Sequence, residues 1–183
     1  MRQPFPASLE KSYVQTFIHK LSKGQQAIWV ASEPLPGAPE KECFQIVANH
    51  IEVHGGSAVT GWAIWEVPDV FIEAEFHCVW QAPDGSLLDL TPHAHRYDEI
   101  LFLPDSTITY SGRQVDNVRH ALVDDRDVIR WLYLCRRHFE IINTDELADM
   151  HGLIRLPPKL AKEYHKVMNE IDKLQLRLDR RYG

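Results

Sequence analysis

Cys43, His77 and Asp89 are the residue types from which a thiol nucleophile is built. A thiol attacks well only after it loses its proton. An imidazole can take that proton, and a carboxylate can hold the imidazole in the tautomer that accepts it. Cys43 follows the proline-rich stretch Pro34-Leu35-Pro36-Gly37-Ala38-Pro39 and falls in the first turn of a predicted helix. The positive end of a helix dipole favours a thiolate there, while the preceding Glu42 opposes it. The other two cysteines read differently. Cys78 alternates with Phe76 and Trp80, and Cys135 lies in an apolar helical stripe, so both are expected in the core.

His77 and Asp89 flank a predicted hairpin. Pro83-Asp84-Gly85 suits a three-residue loop, with proline presetting the first turn position and glycine taking the left-handed one. That loop pairs Ala82 with Ser86 and Val79 with Asp89. His77 and Asp89 then become diagonal neighbours on one face, with Cβ atoms within about 7–8 Å. A two-residue loop would turn Asp89 to the opposite face. In the three-residue register, Ala74, Phe76, Cys78, Trp80, Leu88 and Leu90 form a core face. Glu73, Glu75, His77, Gln81, Asp89 and Thr91 form a polar, half-open face.

The surrounding pattern supplies the elements that would hold these residues. Helical spacing runs over 8–22, Glu40–His54 (ended by Gly55-Gly56) and Asp125–His138. Strands are expected at 26–31, 59–66, 70–81, 86–90, 100–103, 107–110 and 117–122. Beyond Pro157-Pro158, Leu160, Tyr164, Val167, Ile171, Leu174 and Leu178 make a heptad-like seam. Helices, an antiparallel sheet and more helices read as an α+β domain over 1–156. The amphipathic helix 157–183 either packs on that domain or pairs two chains into a homodimer.

The order of Cys43, then His77 within Phe-His-Cys-Val-Trp, then Asp89 within Asp-Leu-Thr-Pro resembles the transglutaminase-like branch of the papain-like fold. Glu42-Cys43, Gly55-Gly56, Gly61–Glu66, Glu75–Trp80 and Asp84–Pro92 are also similar to a poorly characterised bacterial family. The resemblance covers residues 40–92. It implies a cysteine-bearing helix packed on an antiparallel sheet, and a peptidase, amidase or acyltransferase acting on an amide or thioester carbonyl. The substrate would be a small molecule, a peptide or a protein. The pattern departs from such families just before the nucleophile, where Lys41-Glu42 replace the usual glycine. Gln26 (or Gln25), Asn49 and Gln45 are candidate oxyanion donors. Glu75, Trp62 and Trp80 are candidates for lining a substrate groove, against the plainer expectation that the tryptophans pack in the core and Glu75 sits on a charged edge.

Two other classes compete with the enzyme reading. A binding module could keep the fold without the chemistry. A metal-binding protein could use Cys43 with His50 and His54, spaced i, i+4 on one helix face, or the His93-Ala-His95 pair. No HExxH, CxxC or phosphate-cradling glycine loop is present, so no resident metal or other cofactor is expected. His19, His120, His138, His151 and His165 are scattered surface or loop positions.

Composition bounds the rest. In 183 residues, 20 Lys+Arg against 26 Asp+Glu give a formal charge of −6, which excludes a general nucleic-acid binder and an anionic-membrane binder. Met1–Pro6 lacks the apolar stretch of a signal peptide, and no run suits a membrane span. The three cysteines lie far apart and form no disulfide framework, which points to a reduced, cytoplasmic protein.

Overall fold

The computed structural model describes residues 3–22, 24–150 and 155–183. Met1, Arg2 and His151, discussed above, lie outside them. The elements run β1 (Phe5–Pro6), α1 (Ser12–Leu21), β2 (Ile28–Ser32), α2 (Cys43–His54), β3 (Ser57–Val67), β4 (Phe71–Gln81), β5 (Leu87–Asp89), β6 (Glu99–Pro104), β7 (Val118–Ala121), α3 (Arg126–Ile142) and α4 (Pro158–Tyr182). No helix is long and apolar enough to cross a membrane among these residues.

The fold is α+β, but the papain-like arrangement of a helix on an antiparallel sheet is not what the chain adopts. The strands run in the order β1-β3-β6-β2-β5-β4-β7, and β3 also pairs with β4. That last pairing closes β3, β6, β2, β5 and β4 into a five-stranded barrel. The barrel is mixed, because β2 runs parallel to β5, with Ser32 opposite Asp89, and antiparallel to β6. Strand alternation shows which residues belong inside or outside a sheet, but not whether the sheet closes on itself.

Two compact units divide the chain. One comprises residues 6–65 and 74–109; the other comprises 1–5, 66–73 and 110–183. The sequence boundary at 156/157 therefore falls inside the second unit.

In the barrel unit, Val30, Ala63, Trp65, Val79, Ile100 and Phe102 cluster with Leu87 packed against them. Every barrel strand contributes, so this is the barrel interior. The alternate residues Cys78, Trp80 and Leu90 cluster instead with Cys43, Ile46 and Val47 of α2. Thus α2 packs its buried stripe on the outside of the β4–β5 wall. The proline-rich loop reaches the same cluster through Leu35 and Ala38.

In the helical unit, α4 lays its seam against α3. Val167 and Leu174 are buried with Leu134 and Ile141, and Leu160, Tyr164 and Ile171 pack around them. Val67, Val70 and Phe71 join Val128, Leu132 and Leu178 in a second cluster.

The stretch 107–110 is not a strand. Asp105 accepts bonds from the Thr107 backbone N–H (3.0 Å) and hydroxyl (2.6 Å). This local side-chain turn competes with ladder pairing.

Candidate functional site

The hairpin between β4 and β5 places the first two site residues. Trp80 pairs with Leu88 and Gln81 with Leu87, the register expected from a three-residue loop. Ala82 N–H donates to Ser86 O and Gly85 N–H to Ala82 O, both at 2.9 Å. Gly85 has φ +90, a conformation that side-chain-bearing residues rarely adopt. Alternation then puts His77 on the side of Val79, and Asp89 on the side of Leu87.

That face is not half open. His77 is 3% exposed and Asp89 fully buried, because closure of the barrel converts an expected sheet surface into interior. His77 Nε2 donates to Asp89 Oδ1 at 2.9 Å. An ionised carboxylate can only accept, so the bond fixes hydrogen on Nε2. That leaves Nδ1 as the ring nitrogen turned away from Asp89, and the Cys43 thiol is close enough to His77 to raise its pKa.

Cys43 is the first residue of α2 and is buried. Lys41 turns the chain into the helix at φ 64, and Glu42 occupies the N-cap position without a side-chain cap bond. The first turn carries no acidic residue. The helix ladder begins with Ile46 N–H donating to Glu42 O. Glu42 thus caps none of the first N–H groups with its side chain, and the Cys43 N–H lies next to its own sulfur.

Electrostatics follow from this geometry. Burial alone would keep His77 neutral. Its bonds to Asp89 and Cys43 outweigh burial and hold its pKa well above the ordinary value. Burial would likewise push Asp89 up, yet bonds from His77 and His93 hold its carboxyl far below the ordinary range. The other thiols go the opposite way: burial pushes Cys78 up to about 12 and Cys135 to about 11.

His93 is the residue that sequence reasoning left out of this set. Its Nε2 donates to Asp89 Oδ2 at 2.5 Å. The ring packs on Trp65 and Tyr97, with centroids 5.1 and 6.0 Å away. Its place four residues after Asp89 was the available signal, but 93 follows the last strand residue, so no periodicity pointed back to the carboxylate. Two buried hydroxyl oxygens, Ser32 Oγ and Thr91 Oγ1, have no partner among the described residues. Both are close to Asp89 in the fold: Ser32 is its register neighbour on β2, and the Thr91 N–H donates to Asp89 Oδ1.

The remaining candidates lie elsewhere. Gln26 is exposed. Asn49 is exposed and accepts from Gln45 at 2.7 Å. Trp62 is buried and donates to Asp105 (3.2 Å), Trp80 donates to Gly55 O (2.9 Å), and Glu75 accepts from Trp65 (3.0 Å). Trp62 and Trp80 are core residues, as the plainer expectation held.

His50 and His54 stack at 4.2 Å, but Cys43 does not join them in a ligand cluster. Among the described residues, the group whose donor atoms all lie within 4.8 Å of one another is His77, Asp89 and His93. Those three satisfy the distance requirement for a cation, and their hydrogen bonds already engage both carboxylate oxygens with protons.

Comparison of the chain with protein-family models, curated proteins and solved structures finds no match.

Proposed function

We propose that the protein is a cysteine-dependent hydrolase or acyltransferase in which Cys43 attacks an amide or thioester carbonyl. The observation that carries the reading is the buried His77–Asp89 bond at 2.9 Å, with the Cys43 thiol close enough to raise the His77 pKa. Fold analogy lends it nothing, since the barrel is not papain-like; the reading rests on the site itself.

In the attack, His77, whose raised pKa favours the imidazolium, holds on Nδ1 the proton given up by the thiol, and the thiolate sulfur forms a bond to the carbonyl carbon. The carbonyl electron pair moves onto oxygen, and the Cys43 N–H at the start of α2 can donate to that oxyanion. On collapse the bond to the leaving amine or thiol breaks, and the imidazolium returns the proton to the leaving group. Water or an acceptor amine then cleaves the thioester, with His77 taking a proton from it. Asp89 stays ionised throughout and holds the imidazole in place.

The test is the rate of Cys43 alkylation by iodoacetamide across pH, mapped by peptide mass spectrometry. A free thiol titrates near 8.5. The proposal expects Cys43 to react well below pH 8 and His77→Ala to slow that reaction about tenfold or more. A Cys43 that is inert, or that follows the free-thiol curve, leaves a binding module without chemistry.

A further inference from the structure

We infer that His93 is a positioning residue for Cys43 and His77, acting through the second oxygen of Asp89; the inference rests on the thiol reading above. Asp89 is fully buried, so water is not at hand to fill a missing bond. Oδ1 receives His77 Nε2 at 2.9 Å and the Thr91 N–H at 3.1 Å. Among the described residues, Oδ2 receives His93 Nε2 at 2.5 Å. A carboxylate bound through one oxygen can still rotate about its Cβ–Cγ bond. A donor on the other oxygen fixes the plane, and with it the direction in which His77 Nδ1 faces the thiol.

His93 is itself held. Its ring packs against both Trp65 and Tyr97, which also pack on each other, and its side chain is 12% exposed. Pro92 narrows the backbone choices in the step that brings 93 back to 89. The groups facing His77 are Cys43 from α2, Asp89 from β5 and the His93 ring at 5.9 Å from the loop beyond. Glu75, two residues earlier on β4, is bonded to Trp65.

Two effects of His93 oppose each other, and their signs differ. Sharing the carboxylate with a second donor weakens its pull on His77. If that were all His93 did, its removal would strengthen the imidazolium and lower the pH at which Cys43 becomes reactive. Fixing the carboxylate plane does the reverse, so its loss raises that pH.

The experiment measures the pH profile of Cys43 alkylation in the full chain for His93→Leu, His93→Gln and His93→Asn, with thermal melts alongside. The Gln amide nitrogen is as many bonds from Cα as His Nε2; that of Asn is one bond short. The expected result is a midpoint raised by about one pH unit in the Leu variant, hence about tenfold slower alkylation on the acid side. Gln should restore most of the loss, and Asn should not. If the Leu variant fails to fold, the Gln–Asn contrast still decides.

A midpoint that stays put or falls overturns the inference, as do Gln and Asn variants that behave alike. A stoichiometric transition metal retained by the wild type and lost from the Leu variant overturns it too. If wild-type Cys43 is itself unreactive, it is the thiol reading that fails, and the variants need not be consulted.

Discussion

His77 and Asp89 in the barrel unit stand 2.9 Å apart with side chains 3% and 0% exposed. Arg130 and Glu170 in the helical unit stand 2.7 Å apart with side chains 46% and 37% exposed. The shorter pair is the weaker one. Water screens Arg130 and Glu170, and would solvate either alone if the other were removed. Neither partner of the buried pair has that recourse, so each depends on the other and on Cys43, His93 and the Thr91 N–H. A similar separation gives a surface contact in one unit and a tuned proton acceptor in the other.

The largest effect expected from breaking this contrast is at Asp89. Asp89→Asn keeps the shape and removes the charge, and should cost about 3–5 kcal/mol at neutral pH, the range for breaking a buried pair. Because the Asp89 pKa is depressed by folding, its contribution is full above the unfolded value, near 4, and fades as pH falls through the lower folded value. The raised His77 has the opposite sense: its contribution is full below about 6.5 and fades as pH rises through its folded value. Denaturant melts of wild type and Asp89→Asn should therefore show a deficit that is widest in the neutral-to-mildly-acid range and narrows below about pH 4. A deficit independent of pH would mean that Asp89 acts by packing alone. The amide introduced by Asp89→Asn also lets His77 carry its proton on Nδ1, facing the thiol. Alkylation of Cys43 at neutral pH should then fall together with stability.

Next in size is the contrast between the two helical cysteines. Cys43 opens α2 beside an imidazole, whereas Cys135 sits mid-α3 and is pushed up to about 11 by burial, a shift that the Arg119 guanidinium only partly offsets. At pH 7 a thiol of that pKa is ionised in only about one molecule in 10,000. Limited alkylation should label Cys43 over Cys135 and Cys78 by about 100-fold or more. Equal labelling in the folded state would remove the distinction between the two sites.

The sequence carried part of this contrast. Pro83-Asp84-Gly85 specifies a three-residue turn, and the turn specifies the register, so the meeting of His77 and Asp89 follows from local chemistry. The helix that follows the proline-rich run is similarly local, although it starts at Cys43 and not at the expected Glu40. Barrel closure is not local. It depends on β2 pairing in parallel with β5 across the intervening α2, β3 and β4, and no residue pattern in β2 distinguishes that partner from others. The burial of the His77 face was missed for this reason, and so was His93. Its bond to Asp89 is made by a loop, where side-chain direction has no period to read.

The smallest expected effect tests the other half of the comparison. Arg130 makes two parallel bonds to Glu170, at 2.7 and 3.0 Å, across the α3–α4 contact. Two-point geometry is the most favourable that an exposed pair offers, yet water and salt still screen it, so Arg130→Ala should cost about 0.3–1 kcal/mol. Most of that loss should disappear at about 1 M salt, where the screening length falls to about 3 Å. The Asp89→Asn deficit should persist there, because salt has little access to a fully buried carboxylate. Parallel melts of both variants at low and high salt measure the two responses against each other. If Asp89→Asn lost its deficit in salt as Arg130→Ala does, the His77–Asp89 pair would be in contact with solvent and not buried as the structure places it.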